Sequence, residues 1–294
     1  MSRQLALAGL EQPDVSLLSS ALVKSIRLRR TEDAIGWLAR LWAFPSLRYR
    51  VSRRILISSA EDGMSPELIQ VVGRWFGGPH RISLPHAARE VRRICQTPSW
   101  WALPEGHQYM SCWRRAEFIA EALPQSSFDG CATALDRAMR LHDLLGALAV
   151  FTRMSVMPEF LNLRLADHFA PHIEQSEDRR AVALFDCWRG LAPILGRDTN
   201  VSGQLLYMLL GGRLPRLTVP PTELNDVVPL SADWELREPP VWANDGIHAR
   251  ADGPIDRRFA GLVGNFVAMA NAYAYYGRLD PNDPWRPEFF SVRD

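Results

Sequence analysis

The stretch from Thr31 to Trp42 reads T-E-D-A-I-G-W-L-A-R-L-W and predicts one amphipathic helix. Thr31 stands where a side-chain oxygen can cap the helix, and Glu32 and Asp33 supply the negative charge that the positive first turn favours. Apolar residues then recur at three- and four-residue spacing and form one stripe, which consists of Ala34, Ile35, Leu38, Leu41 and Trp42. Pro45 ends the pattern, because proline lacks the N–H that a helix needs.

The same signals recur on both sides of this stretch and predict further helices. One helix follows Asp14, another runs from about Ser46 to Asp62, and the next opens at Ser65 and Pro66. Helical spacing continues over residues 85–95, 109–123, 131–152, 157–168, 174–191, 202–210 and 256–276. No strand-like alternation persists, so we expect an all-α fold, a multi-helix bundle. The prolines between Gly211 and Asp245 predict a crossing loop before the C-terminal helix.

The composition places the chain among compact globular proteins. It has 294 residues, of which 47% are hydrophobic and 23% charged, so its core needs no disulfide or metal to hold it together. The 4 cysteines are scattered without a C-x-x-C pair, which argues against a disulfide framework or a zinc ribbon. No window reaches the ~18 consecutive apolar residues of a membrane helix, and the N-terminal segment lacks the apolar run of a secretory signal. We expect a cytoplasmic protein that contacts no membrane and carries no cofactor.

Positive charge is concentrated near the N-terminus and consists almost entirely of arginine. Lys24 is the single lysine among 34 basic residues. The segment from Lys24 to Arg54 holds nine basic residues and two acidic ones, a net charge of +7 in a chain whose net charge is +1. This uneven distribution indicates an anionic or acidic partner for the segment.

Three blocks in and beside this segment resemble a known family. They read S-A-L-V-K-S-I-R (Ser20 to Arg27), D-A-I-G-W-L-A-R (Asp33 to Arg40) and R-R-I-L-I-S-S-A-E-D-G (Arg53 to Gly63). In this order and spacing they resemble the region that follows the ATPase module in the MgsA-type AAA+ ATPases, also called replication-associated recombination protein A. The family pattern there is approximately S-A-L-H-K-S-[IV]-R-G-S-D, then D-A-A-L-Y-W-L-A-R, then R-R-L-x-x-x-A-S-E-D-I-G. The match covers about 45 of the 294 residues.

The resemblance implies an all-helical, clamp-loader-type collar that holds subunits together, in proteins that act at stalled or gapped replication forks. The chain departs from the family at several positions. Val23 stands where the family has histidine, and Leu28, Arg29 and Arg30 replace a G-S-D turn, so this edge is basic rather than acidic. The later P-K-S-N motif of the family is not recognisable, so its tetramer contacts are not carried over to this chain.

The sequence contains no nucleotide-binding P-loop. That motif needs the pattern G-x-x-x-x-G-K-[ST], but Val23 precedes Lys24 and Ser25, and Leu18 stands at the first glycine position. We therefore expect a collar-like piece without an ATPase, and no enzymatic activity. The expected parts are a collar-like segment (1–78), a further helical part of the same or a second domain (79–210), and the Pro-rich loop with the C-terminal helix and tail (211–294).

Two sets of charged residues are the candidate site residues. The candidates for binding nucleic acid or a protein partner are Lys24, Arg27, Arg29, Arg30, Arg53 and Arg54. Lys24, Arg27, Arg53 and Arg54 can instead pair within the fold with Glu61 and Asp62. These two carboxylates lie at a helix C-terminus, where negative charge opposes the helix dipole and attracts cations. We therefore also predict a structural ion-pair network that includes Arg40, Glu61 and Asp62. Arg29 and Arg30 lie outside that pattern and are the better candidates for an external contact.

The histidines give a weaker signal for a metal site. His168 and His172 are four residues apart beside Asp167, which could place two ligands on one helical face. However, Ala170 and Pro171 are expected to interrupt that helix, and no third ligand can be named. A surface pair without metal is therefore favoured.

Three functions follow from these patterns. The leading prediction is a non-enzymatic helical adaptor protein of DNA replication, repair or mobile-element maintenance, whose partner is a second copy, a replication or repair protein, or DNA. The second is direct nucleic-acid binding through residues 24–54. The third is an enzyme that uses the polar loop from Asp245 to Asp256, although an ordinary helix entry has the same composition. Base stacking by Trp100, Trp101, Trp113, Trp242 and Trp285 is also conceivable, but tryptophans more often pack in cores.

Overall fold

A computed structural model describes residues 15–27, 29–63, 66–77, 82–97, 103–216 and 238–239. Over these ranges the chain is helical and contains no strand, which confirms the predicted all-α class. The α-helices in the described ranges are α1 (Val15–Arg27), α2 (Thr31–Trp42), α3 (Arg48–Gly63), α4 (Pro66–Gly73), α5 (Leu84–Gln96), α6 (Pro104–Ala122), α7 (Phe128–Arg140), α8 (Leu144–Ser155), α9 (Asn162–Glu174), α10 (Arg179–Leu195) and α11 (Asn200–Leu209). Short 3-10 helices precede α3 (Pro45–Leu47) and follow α4 (Arg74–Gly77). The predicted helix 256–276 and most of the Pro-rich loop lie outside the described residues.

The chain divides into two compact units that are not consecutive in sequence. Unit 1 comprises Met1–Val51, Ile82–Gln96 and Thr222–Asp294, and unit 2 comprises Ser52–Arg81 and Thr97–Pro221. The units interleave along the chain because α5 packs with α1 and α2, far from it in sequence. The parts 1–78, 79–210 and 211–294 stay a prediction from the sequence. None of the helices in the described part of the chain is long and apolar enough to cross a membrane.

In the described part of unit 1, α1, α2 and α5 each pack against the other two, and the chain continues through Pro45–Leu47 into the start of α3. Their contact surfaces are aliphatic, with Leu22, Ile26, Leu38, Val91 and Ile94 fully buried. Burying one such side chain contributes roughly 1.5–3 kcal/mol relative to leaving it in water. Leu38 belongs to the predicted apolar stripe of α2, and the buried residues of α1 and α5 recur at the same three- and four-residue spacing, so this spacing determines which helix faces meet.

Unit 2 contains α3 from Ser52 onward, α4 and α6 to α11. α8 packs against α6, α7 and α11, and α10 packs against α4, α9 and α11. Aromatic rings fill much of the interior. The ring centroids of Trp113 and Phe151 lie 5.9 Å apart, and those of Phe169 and Trp188 lie 5.4 Å apart. Trp113 is therefore part of the core packing, whereas the other tryptophans proposed for base stacking lie outside the described residues.

The single helix predicted over 131–152 is in fact two helices, α7 and α8, joined by a three-residue turn. His142 adopts the left-handed conformation with φ of 53°, and two backbone hydrogen bonds close the end of α7 in the Schellman pattern. Asp143 then caps α8, because its carboxylate accepts a hydrogen bond from the Gly146 N–H at 2.9 Å. The prediction was wrong because apolar spacing continues across the turn, while the break depends on backbone and capping geometry.

The predicted interruption at Ala170 and Pro171 is also wrong. α9 runs without a break from Asn162 to Glu174 with Pro171 inside it. A proline removes only one helical hydrogen bond, and near the end of a helix the remaining turns can tolerate that loss. His168 and His172 consequently lie one turn apart on the same helix.

Candidate functional site

The turn between α1 and α2 presents two of the predicted binding residues. Arg29 has φ of 56°, in the left-handed region that glycine usually occupies at helix ends. Its N–H donates to Ile26 O at 3.1 Å, and the Arg30 N–H donates to Ser25 O at 2.9 Å, which is the Schellman arrangement. The Arg29 guanidinium also donates to Ile26 O at 3.1 Å. This turn fixes the direction in which the chain leaves α1.

The first turn of α2 differs from the prediction by one residue. Arg30 occupies the N-cap position and Thr31 is already helical, so no threonine oxygen caps the helix. The reason is that the preceding turn ends at Arg30 and leaves no residue between it and the helix. Arg30 instead forms an ion pair with Asp33, with 3.3 Å between Nε and Oδ2, and its side chain is 34% exposed.

Helix α5 adds three arginines to unit 1, Arg89, Arg92 and Arg93, which the sequence analysis did not single out. Arg92 Nη2 lies 3.7 Å from Glu32 Oε1 in the first turn of α2, and Arg93 Nη1 lies 2.7 Å from Glu90 Oε2. The three- and four-residue spacing of these arginines on one predicted helix could be recognised in the sequence. Their contact with α2, about sixty positions away in the chain, could not be predicted from it.

The described residues of unit 1 carry a large excess of positive charge. They contain ten basic side chains against three acidic ones, Glu32, Asp33 and Glu90, whereas the whole chain has a net charge of +1. Each of the three carboxylates forms an ion pair with an arginine of the same unit. Because these pairs neutralise three positive charges, the described residues of unit 1 retain a net charge of +7.

Two of the predicted binding residues on α1 are not equivalent. Arg27 is 3% exposed, so its side chain lies within the fold and offers almost no surface to an external ligand. Lys24, one turn earlier, is partly buried. Arg40, which we predicted in an ion-pair network, lies over the Trp37 ring at 5.5 Å, and burial lowers its pKa. These placements favour structural functions for Arg27 and Arg40.

The second pair of predicted binding residues lies on α3 in unit 2. Arg53 donates from Nε to Ile194 O at 2.9 Å and from Nη2 to Leu195 O at 3.0 Å. Both acceptors belong to the last turn of α10, where carbonyl groups have no partner within the helix. Arg53 is therefore engaged in holding two helices together. Arg54, the next residue, is partly buried.

Glu61, which we also predicted in the network, takes part in a polar cluster with Asp198 and Asn200. Its Oε1 accepts a hydrogen bond from Asn200 Nδ2 at 3.1 Å, and the same amide lies 3.2 Å from Asp198 Oδ1. Burial raises the pKa of Asp198 to about 6, and the Glu61 carboxylate acts in the same direction, while the Asn200 hydrogen bonds and Arg53 oppose it. The side chain of Asp62 lies outside the described residues.

A hydrogen bond joins His168 to α7, since its Nδ1 lies 2.9 Å from Asp136 Oδ1. His172 stands one turn further along α9, and burial lowers its pKa. Within the described ranges, no group of three or more histidine, cysteine or acidic side chains is arranged to hold a metal ion. The polar loop from Asp245 to Asp256 lies outside those ranges.

Comparison with known proteins gives no match to a family model, to a curated protein or to a solved structure. The candidate functional site is therefore the group of basic residues in unit 1. It includes Arg29 and Arg30 at the α1–α2 turn and the three arginines of α5.

Proposed function

We propose that this chain is a non-enzymatic helical adaptor protein that acts in DNA replication, repair or mobile-element maintenance. The observation that carries the proposal concerns the first two blocks that resemble the MgsA-type collar. These blocks form α1 and α2, and their shared apolar residues are buried, namely Ala21, Leu22, Ile26, Ala34 and Leu38. The resemblance therefore falls on residues that form the core of a helical scaffold. A collar is a scaffold of this kind, which holds subunits together.

The partner surface in this proposal is the α1–α2 turn, where the sequence departs from the family. Arg29 and Arg30 replace a turn that contains an acidic residue, and Arg30 is partly exposed. A basic turn favours an acidic partner surface. We propose a replication or repair protein as this partner, with self-association into a homo-oligomer as the second mode of assembly.

A specific observation favours a second candidate function, which is direct nucleic-acid binding through the basic residues 24–54. The described residues of unit 1 hold ten basic and three acidic side chains, and seven of the ten basic residues lie between Lys24 and Arg50. Such a concentration of positive charge attracts the phosphate backbone without reading its sequence. The enzyme alternative rests on the loop from Asp245 to Asp256 and stays a prediction from the sequence.

The adaptor proposal is tested with the tagged full-length chain expressed in its native cells. We expect replication or repair proteins to copurify after nuclease treatment, and we expect Arg29→Glu combined with Arg30→Glu to lose them. The matched control is Arg114→Glu combined with Arg115→Glu on α6, which reverses two exposed charges in unit 2. Light scattering at micromolar concentration measures self-association. A strict monomer that captures no protein partner would overturn the proposal.

A further inference from the structure

We infer that α5 completes a polyanion-binding surface on unit 1, and that the ligand of this surface is the phosphodiester backbone of a nucleic acid. The inference rests on the second candidate function and extends it, because it adds a helix outside residues 24–54 to the binding surface. The contacts to the phosphate backbone would then come from α5 as well as from the α1–α2 turn.

The arginines of α5 lie beside those of the α1–α2 turn. Arg92 on α5 reaches within 3.7 Å of Glu32, which is two residues after Arg30. Glu32 is 67% exposed, so this junction lies at the surface of unit 1. The turn that carries Arg29 and Arg30 therefore continues directly onto α5.

The orientation of α5 supports the same surface. Ala87, Val91 and Ile94 are fully buried and fix the helix against α1 and α2. Arg89 and Arg92 are three residues apart, so their side chains emerge on the same side of the helix, and both are partly exposed. With about 3.6 residues per turn, Arg89 and Arg92 fall on the side of α5 opposite Ala87, Val91 and Ile94, which is the side left for a ligand.

The distribution and the chemistry of these arginines indicate the class of ligand. The basic residues of unit 1 are distributed over α1, the α1–α2 turn, α2, the start of α3 and α5, which suits a ligand with regularly repeated negative charges. Guanidinium groups match phosphate oxygens in a bidentate geometry. Arg92 and Glu32 lie 3.7 Å apart, and the Glu32 side chain is 67% exposed while that of Arg92 is 19% exposed. Such a long pair with one exposed partner contributes little free energy, so a phosphate can compete with Glu32 for Arg92. These features favour a nucleic-acid backbone over an acidic peptide.

The experiment measures binding of the full chain to fluorescently labelled oligonucleotides of unrelated sequence, single-stranded and duplex, by anisotropy over a range of salt concentrations. For the wild type we expect similar affinity for every sequence and a linear fall of log K with log salt. The test variant carries Arg89→Gln, Arg92→Gln and Arg93→Gln. We expect it to bind at least about tenfold more weakly and to lower the salt slope by about 0.7–0.9 for each lost phosphate contact.

The matched control carries Arg114→Gln, Arg115→Gln and Arg137→Gln, which removes the same charge from exposed positions of unit 2. It should retain the wild-type slope. Circular dichroism checks the fold of both triple variants, and the single variant Arg89→Gln gives the same test with a smaller expected effect if the triple variant unfolds. Replacing the three α5 residues by lysine should restore most of the slope.

The outcomes separate the inference from the function on which it rests. An unchanged slope in the α5 variant, together with weaker binding by Arg29→Gln combined with Arg30→Gln, overturns the inference and leaves the second candidate function standing. Absence of nucleic-acid binding by the wild type overturns both. Displacement of the oligonucleotide by polyglutamate at equal charge concentration would identify the ligand as an acidic polypeptide and would also overturn the inference.

Discussion

The guanidinium of Arg53 on α3 donates a hydrogen bond from Nε to the carbonyl oxygen of Ile194 at 2.9 Å. Its Nη2 reaches the neighbouring carbonyl of Leu195 at 3.0 Å. The last carbonyls of a helix carry partial negative charge and lack partners within the helix, so a cation there satisfies both needs. A residue that the sequence suggested as a ligand contact is thus part of the framework of unit 2.

Replacing Arg53 by glutamine removes the positive charge and weakens both hydrogen bonds to α10. We expect the free energy of unfolding to fall by about 2 kcal/mol, because hydrogen bonds that involve a charged group are worth roughly that much. Urea denaturation followed by circular dichroism measures the change. The control is Arg50→Gln, at an exposed position of the same helix, and should cost less than about 0.5 kcal/mol. An equal loss at both positions would contradict the structural function of Arg53.

Asn162 and Trp188 form a buried polar contact in unit 2. The indole N–H donates to Asn162 Oδ1 at 3.3 Å, while Asn162 Nδ2 donates to Gly196 O at 2.9 Å and to Asp198 O at 2.6 Å. Asn162→Ala leaves these buried groups without their partner, so we expect a loss of about 3 kcal/mol of unfolding free energy. Chemical denaturation of the variant measures it.

A double-mutant cycle separates this network from the effect of volume. Trp188→Phe removes the indole N–H, and it also leaves a small void. If the two side chains interact as described, we expect the double variant with Asn162→Ala to lose about 1 kcal/mol less than the sum of the two single losses. Strict additivity would show that Asn162 acts only through the backbone carbonyls of Gly196 and Asp198.

These contacts also show which features of the structure could be predicted from the sequence and which could not. The all-α class and the buried faces of α1, α2 and α5 follow from apolar spacing, which is a local signal. Arg53 and Ile194 are 141 residues apart, and no spacing rule relates them. The arginines of α5 were visible in the sequence, but their position beside Glu32 depends on tertiary packing. Candidate residues chosen by charge therefore included both framework and surface positions.

The carboxyl group of Asp198 gives a pH-dependent contribution to stability. Burial, together with nearby Glu61, raises its pKa from 3.8 to about 6, so the fold favours the neutral acid. Below about pH 4 the carboxyl group is neutral in both states and does not change the free energy of unfolding. As the pH rises from about 4 to 6, this free energy decreases, because the unfolded chain ionises Asp198 more readily than the folded one. Above about pH 6 the decrease is complete. One pKa unit corresponds to about 1.4 kcal/mol, so the decrease at neutral pH is at most about 3 kcal/mol.

Asp198→Asn keeps an oxygen that can accept the Asn200 N–H, but it cannot ionise. We expect this variant to be more stable than the wild type by about 2 kcal/mol near pH 7.5 and to lose that advantage near pH 4. Thermal denaturation across this pH range provides the measurement. Asp186→Asn, at an exposed position of α10, is the control and should show no such pH-dependent gain. A gain for Asp198→Asn that is the same at every pH would exclude ionisation as its cause.

His142 occupies the left-handed position at the end of α7, with φ of 53°. Glycine avoids the steric cost of that conformation, roughly 1–2 kcal/mol for other residues, although it loses more chain entropy on folding. We expect His142→Gly to raise the free energy of unfolding by about 0.5–1 kcal/mol at neutral pH. His142→Ala should give no gain, because alanine meets the same backbone cost. Equal stabilisation by both variants would assign the effect to loss of the imidazole.

Gly203 on α11 provides the sharpest test of the packing in unit 2, because a Cβ atom there would approach Trp113 Cζ3 to 2.7 Å and Tyr109 Oη to 3.2 Å. The indole and the phenol are fixed among other rings, so they cannot move away without cost. Gly203→Ala should therefore destabilise unit 2 by about 1–3 kcal/mol, despite the roughly 1 kcal/mol that alanine gains in a helix. Gly190 on α10 is the matched control, since a Cβ there meets no atom within 4 Å and alanine should stabilise. Opposite signs in thermal denaturation are the expected result, and equal signs would mean that Trp113 does not pack against α11 as described.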